Sequence, residues 1–114
     1  MCAIGDQCEL VSTSKSIVYW CKSCACYSLV HGSASVVFSS GELVSFQSLL
    51  QSLRPEDFNR QTPDGLKVLL KNQSSSVGLL LLPEEVNAII QLLSNALLVR
   101  EAMALMTPDI PKNN

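Results

Sequence analysis

The sequence predicts an α+β domain, in which hairpins form an antiparallel sheet of about six strands and two helices cover one face of it. Short segments rich in β-branched and apolar residues, separated by turn residues, predict the strands. Two longer segments carry apolar residues three or four positions apart, which predicts the helices. The chain has 114 residues and is 47% hydrophobic, so it fits one domain with a well-filled core.

The strands are predicted from local composition and turn signals. Tyr19 and Trp20 alternate along the second strand, so one of them is expected to face the core and the other the surface. A polar linker at residues 54–65 separates the first four strands from a third hairpin, whose turn is predicted at residues 72–76. The six predicted strands are residues 9–13, 16–21, 26–31, 35–39, 66–71 and 77–82.

Each predicted helix has a recognisable start. Ser39 and Glu42 have the spacing of a capping box, in which each side chain accepts a hydrogen bond from a free amide at the helix start. Pro83 opens the second helix, which runs to about Met106 and is stopped by Thr107-Pro108. The apolar stripe of the first helix is Leu43, Phe46, Leu49, Leu50 and Leu53.

An internal repeat is one interpretation of this order. At an offset of 43 residues, the strand and helix of residues 36–50 align with those of residues 79–93. The repeated units would be residues 24–53 and 66–106, each a hairpin followed by a helix. The alternative is that any two strand–helix units share leucines at such spacings.

The charge distribution excludes some partners. The formal net charge is −2, and the lysines and arginines are scattered, which disfavours nucleic acid and a polybasic membrane contact. The sequence starts without a cationic and apolar leader, and a core this apolar needs no disulfides, so we expect reduced thiols and a cytoplasmic location. Charged and amide side chains interrupt the second helix, so no membrane span is predicted.

The second helix carries more apolar surface than one sheet face covers. Two apolar stripes follow its length, and Leu98 and Leu105 lie outside both. We therefore predict a homodimer formed through this helix, the alternative being that the first helix and the sheet cover it entirely. The first stripe is Ile89, Leu92, Ala96, Val99, Met103 and Met106, and the second is Val86, Ile90, Leu93 and Leu97.

Five cysteines provide the only candidate chemistry. Cys21 and Cys24 form a CxxC, and a two-residue turn would place Cys8 directly opposite Cys21. Zinc needs four such ligands, and Cys2 or Cys26 would complete the set. The alternative is that the thiols are reduced and packed as small hydrophobic groups. A redox role is less favoured, because the CxxC joins two strands and does not begin a helix.

No catalytic constellation is predicted. His31, the only histidine, precedes Gly32 in a hairpin turn, which suits an exposed or capping role. Glu84 and Glu85 are adjacent on a helix, point about 100° apart, and serve the helix dipole. The sequence therefore predicts no enzyme.

The chain resembles a family of short uncharacterised bacterial proteins. The similarity is carried by the Met-Cys start, by Cys21-x-x-Cys24 and by the run from Tyr27-x-Leu29-x-His31-Gly32 into the Ser39 helix start. The resemblance implies a strand and helix repeat ending in a long helix, and no known activity. It favours Cys2 with Cys21 and Cys24 over Cys8 or Cys26 as ligands. The function predicted is a non-enzymatic binding or assembly module; the alternatives are a structural zinc domain and a thiol-dependent redox protein.

Overall fold

A computed structural model describes residues 7–71 and 78–106. It confirms the α+β class. The strands are β1 Gln7–Ser12, β2 Ser16–Cys21, β3 Cys26–His31, β4 Ala34–Phe38, β5 Arg60–Thr62, β6 Gly65–Lys71 and β7 Gly78–Leu81. The helices are α1 Ser40–Gln51 and α2 Pro83–Met106, with a short 3-10 turn at Pro55–Asp57. The predicted turn at 72–76 and the predicted stop after Met106 lie outside the described residues.

The strands form two antiparallel sheets where the sequence suggested one. The first has the order β1-β2-β3-β4 and the second β5-β6-β7, and β4 and β7 lie against each other. The extra strand, β5, falls inside the predicted linker. Its three residues are polar and only their pairing with β6 makes them a strand, so local composition gave no signal for it.

The capping box of α1 is confirmed. The Glu42 amide donates to Ser39 Oγ at 3.2 Å, and the Ser39 amide donates to Glu42 Oε1 at 2.9 Å. These two bonds satisfy amides that the first turn leaves without helical partners. Of the predicted apolar stripe, Leu43, Phe46 and Leu50 are buried in the core.

The core lies where α2 packs against β1, β2 and α1. Trp20 is buried and Tyr19 is half-buried, as their alternation predicted. Gln47 of α1 donates to the Ser94 hydroxyl of α2 at 2.6 Å, which fixes the two helices relative to each other. The buried residues of α2 are Val86, Ile89, Leu92, Leu93 and Ala96.

Each helix follows a hairpin directly: β3 and β4 precede α1, and β6 and β7 precede α2. This is the element order that the repeat hypothesis requires, and common ancestry of the two units stays a prediction.

By length and composition, Pro83–Leu105 could cross a bilayer, with a mean hydropathy of 1.4. Core helices of globular proteins pass the same test when they are mostly buried, and here 22% of the most apolar stretch is buried inside the domain.

Candidate functional site

The outer side of α2 carries an apolar surface that none of the described residues covers. Leu98 is 63% exposed and Leu105 is 78% exposed. Seven residues are two helical turns, so these leucines share one side of the helix about 10 Å apart. We call this side the exposed α2 face; its residues, all exposed and spaced alternately by three and four, are Ala88, Gln91, Asn95, Leu98, Ala102 and Leu105.

The two stripes predicted from the sequence lie elsewhere on α2. In the first, Ile89, Leu92 and Ala96 are fully buried, and Val99 and Met103 pack against the same core. The second stripe is likewise buried or half-buried within the chain. The leucines that remain exposed are therefore the two that belong to neither stripe. The spacing of the exposed α2 face can be read from the sequence. However, only the packing shows that this face, and neither of the two predicted stripes, is exposed to solvent.

Arg100 ties the far end of α2 to the first sheet. Its guanidinium carbon lies 4.3 Å from the centre of the Trp20 ring, a cation–π arrangement. The Trp20 ring in turn contacts Tyr27 edge-on, with centroids 4.9 Å apart. Because Arg100 is drawn inward, Glu101 is the one charged residue exposed on the second half of α2 among the described residues.

The cysteines gather around the β2–β3 hairpin, with one exception. Cys21 and Cys26 are directly opposite each other at the end of the hairpin, and Cys24 lies in the turn between them. Residues paired in this way have Cβ atoms about 5 Å apart. The Cys26 thiol lies 3.2 Å from the Cys24 carbonyl oxygen, and Cys21 Sγ lies 3.3 Å from Ser23 Oγ.

Cys8 does not join them, so its predicted place opposite Cys21 is wrong by one residue. The pairing starts as predicted, with Val11 opposite Val18, but an irregularity between Glu9 and Val11 then shifts it by one. Such a bulge places two residues of one strand against one of the other. Cys8 therefore pairs with Trp20 and packs against the core. Successive strand residues face opposite ways, which directs Cys21 to the other face.

The oxidation states also differ from the prediction. Cys8 and Cys26 are free thiols, whereas Cys24 is disulfide-bonded. The structure therefore holds Cys24 in a disulfide, whereas reduced thiols are the expectation for the cell. Within residues 7–71 and 78–106, no three His, Cys, Asp or Glu side chains are arranged to hold a metal ion. Cys2 lies outside these residues, and a zinc site on Cys21 and Cys24 stays a prediction.

A polar network that the sequence did not reveal joins the two inner strands of the first sheet to the first turn of α2. Ser16 Oγ lies 2.6 Å from His31 Nδ1, and His31 Nε2 lies 3.4 Å from Glu85 Oε2. The other carboxylate oxygen of Glu85 accepts the Leu82 amide at 2.7 Å. Burial favours the neutral carboxyl, but this amide and the positive charges of His31, Lys67 and Lys15 together hold the pKa of Glu85 below its ordinary value.

This network has the composition of a catalytic triad but not its order. In a triad the hydroxyl contacts Nε2 and the carboxylate contacts Nδ1, whereas here the two ring nitrogens are exchanged. Ser16 is also only 4% exposed. The three side chains come from β2, β3 and the first turn of α2, so their effect is to fasten that turn to the first sheet.

A cavity of about 610 Å³ opens between the end of α1 and the first half of α2. Leu53, Phe58 and Ile90 are half-buried around it, and Leu66 is 50% exposed at its edge. We call it the α1–α2 pocket; its lining residues are Leu50, Gln51, Leu53, Arg54, Pro55, Phe58, Leu66, Pro83, Val86, Asn87 and Ile90. These residues come from four segments, and nothing in their sequence spacing indicated that they meet.

Comparison with known proteins adds a family and no activity. A family of unknown function, DUF6686, matches residues 1–112, so the chain belongs to that family. The resemblance to an uncharacterised family is thereby confirmed. No curated protein and no solved structure matches the chain.

Proposed function

We propose that the protein is a small non-enzymatic assembly module that forms a homodimer through the exposed α2 face. The observation that carries this proposal is the pair of exposed leucines on a helix whose other sides are packed: Leu98 at 63% and Leu105 at 78% exposure. Single exposed leucines are common on monomers, but Leu98 and Leu105 lie on one helix side with Ala102 between them and Glu101 beside them, which supports a small apolar contact with a partner.

A second copy of the chain suits this surface for two reasons. Apart from Glu101 beside the two leucines, the exposed α2 face from Ala88 to Leu105 is uncharged, so two copies can meet when each Glu101 stays at the solvent edge of the contact. Its alternating three- and four-residue spacing is that of helices packed side by side, and Ala102 between the leucines allows close approach. A twofold dimer uses the same face of both copies, which this face satisfies.

The expected dimer is weak. Two leucines per copy, each contributing about 2 kcal/mol when fully buried, give about 8 kcal/mol before the cost of association. That cost is at least about 4 kcal/mol, which leaves a Kd on the order of 1 mM, lowered toward 0.1 mM by the contacts of Ala102 and its neighbours. Assembly is therefore expected only at high local concentration.

Sedimentation equilibrium of the chain from about 10 µM to 1 mM tests the dimer across that range of Kd. We expect the average mass to rise towards twice the monomer, and Leu98→Lys with Leu105→Lys to hold it at the monomer. Val44→Lys is the matched control, since Val44 is 52% exposed on the other helix. A wild-type chain that stays monomeric throughout, or a double variant that still associates, would remove the proposal.

A cytoplasmic location is part of the proposal and has a test of its own. The free thiols of Cys8 and Cys26 are typical of a reducing compartment, whereas the disulfide at Cys24 is typical of an oxidising one. Cytoplasmic placement therefore requires that Cys24 be reduced in the cell. Alkylation of thiols at the moment of lysis, followed by mass spectrometry, should find Cys24 labelled. An unlabelled, oxidised Cys24 would contradict a cytoplasmic location.

Structural zinc at the β2–β3 hairpin is the second candidate. It is favoured by the register, which pairs Cys21 with Cys26 beside the turn that holds Cys24; because these three side chains do not converge in the described structure, the turn would have to rearrange to bind the metal. A disulfide sulfur is not a zinc ligand, so only the reduced chain would bind the metal. Reduced protein purified with zinc should then retain about one equivalent, and Cys24→Ser should lose it while Cys8→Ser keeps it. Equal zinc content in the two variants would exclude this site.

A further inference from the structure

We propose that the α1–α2 pocket binds an aliphatic monocarboxylate, with an alkyl chain on the order of ten carbons along its apolar wall. This function is separate from self-association, because the pocket involves the first half of α2 and the exposed leucines lie on the second.

The walls show apolar surface that the fold leaves uncovered. Leu53, Phe58 and Ile90 pack against the core on one side and remain partly open on the other. Together with Leu66, at 50% exposure, they surround one concave space. About 610 Å³ lies within the range of small-molecule sites, which are largely apolar with a few polar groups that orient the ligand.

The rim carries a positive charge at Arg54, whose backbone amide donates to the nearby Asp57 carboxylate at 2.8 Å. Among the described lining residues Arg54 alone is charged, and Gln51 and Asn87 add amide donors. The Arg54 guanidinium lies 3.8 Å from Glu56, but both side chains are largely exposed, at 76% and 68%, so water weakens that pair. A guanidinium is suited to bind a carboxylate through two parallel hydrogen bonds. The charge therefore favours an anionic head group.

The interior favours an alkyl chain over a peptide. Leucine, isoleucine, valine and proline form most of the wall, and none of their side chains offers a hydrogen bond. The pocket is open to solvent, so a peptide placed there keeps its outer side hydrated but gains no hydrogen bond from the apolar wall. An alkyl chain contacts the same wall and has no backbone groups to pair.

Three probes with the same ten-carbon chain and different head groups distinguish the contribution of the charge from that of the alkyl chain. They are decanoate, 1-decanol and decyltrimethylammonium. Binding is followed by amide shifts in ¹⁵N-labelled protein, read at the lining residues. We expect decanoate to bind about tenfold more tightly than decanol, the increment of one charged hydrogen-bonded contact, and the cation to bind most weakly. Arg54→Gln should lower the affinity for decanoate to that for decanol and leave the affinity for decanol unchanged. Arg60→Gln, outside the pocket, should change neither.

Leu66→Glu tests the wall, since an exposed position tolerates a carboxylate that would repel the ligand. It should abolish decanoate binding while the amide spectrum remains that of a folded chain. Equal affinity for all three probes, shifts outside the pocket, or an Arg54→Gln variant that binds decanoate normally would overturn the proposal. The titration is repeated on the Leu98→Lys, Leu105→Lys variant. Binding there is expected to be unchanged, which keeps this result independent of the dimer.

Discussion

The two halves of α2 have similar amino-acid character and opposite surroundings. In residues 83–96, five side chains are fully buried in the core. In residues 97–106, which are the more apolar by composition, none of the described side chains is fully buried, and Leu98 and Leu105 are open to solvent. The first half contacts the first sheet and α1 with buried side chains, whereas the second packs only partly buried side chains against the core and leaves its outer side open. Apolar composition therefore indicates that a helix has apolar surface to bury. Only the packing of the surrounding elements shows how much of that surface is buried within the chain.

The sharpest test of this difference compares one leucine from each half. Leu93 is fully buried, so Leu93→Ala should lower the free energy of unfolding by about 3 kcal/mol, through lost contacts and a cavity. Leu98→Ala should change it by less than about 0.5 kcal/mol in dilute solution, where the chain is monomeric. Urea unfolding followed by circular dichroism measures both. Similar losses at the two positions would mean that the second half is packed within the monomer.

Arg100 holds the second half of α2 against the first sheet through its contact with Trp20. Its guanidinium covers Trp20, so Arg100→Gln should destabilise the fold by about 1 kcal/mol through the lost cation–π contact and packing of its stem. Trp20 fluorescence during unfolding reports the same contact directly. Glu101→Gln, at the neighbouring exposed position, is the control and should be neutral. If the Arg100 variant were equally neutral, the last turns of α2 would be held by something else.

Glu85 gives the first half of α2 a pH dependence. Because its pKa is lowered in the folded chain from the ordinary 4.5, the stability it contributes is present above that value. That contribution is lost as the pH falls through the folded pKa. Glu85→Gln should cost less than about 1 kcal/mol at pH 7, since the amide oxygen can still accept the Leu82 amide. It should also reduce the loss of stability between about pH 5 and pH 3.

Glu84→Gln is the matched control for this effect, because Glu84 is exposed one residue away. Denaturant midpoints measured at several pH values give both curves. An acid dependence in the Glu85 variant as steep as in the wild type would show that other carboxyl groups dominate, and that the network with His31 contributes little.

Local signals in the sequence were enough for the elements. The bounds of β2, β3 and α2, and the capping box at Ser39, follow from composition and spacing within a few residues, and each was confirmed. β5 was missed because polar residues 60–62 become a strand only by pairing with β6. The division into two sheets was missed for a similar reason, since strand order depends on distant contacts.

The candidate sites could be predicted less well, because each depends on where distant residues meet. A single bulge near Leu10 moved Cys8 away from Cys21, and no residue there marks a bulge in advance. Ser16, His31 and Glu85 come from three elements, and the α1–α2 pocket from four segments. The leucines of α2 were visible from the start, but their exposure depended on which stripe the core would bury.

Contacts between copies are the most direct test of the assembly proposal. In a sample mixed from labelled and unlabelled chains at about 1 mM, filtered NMR experiments detect only protons of different copies. If the dimer forms through the exposed α2 face, intermolecular signals should connect the methyl groups of Leu98, Ala102 and Leu105. An absence of intermolecular signals, or signals confined to another surface such as that around Val44, would contradict the account.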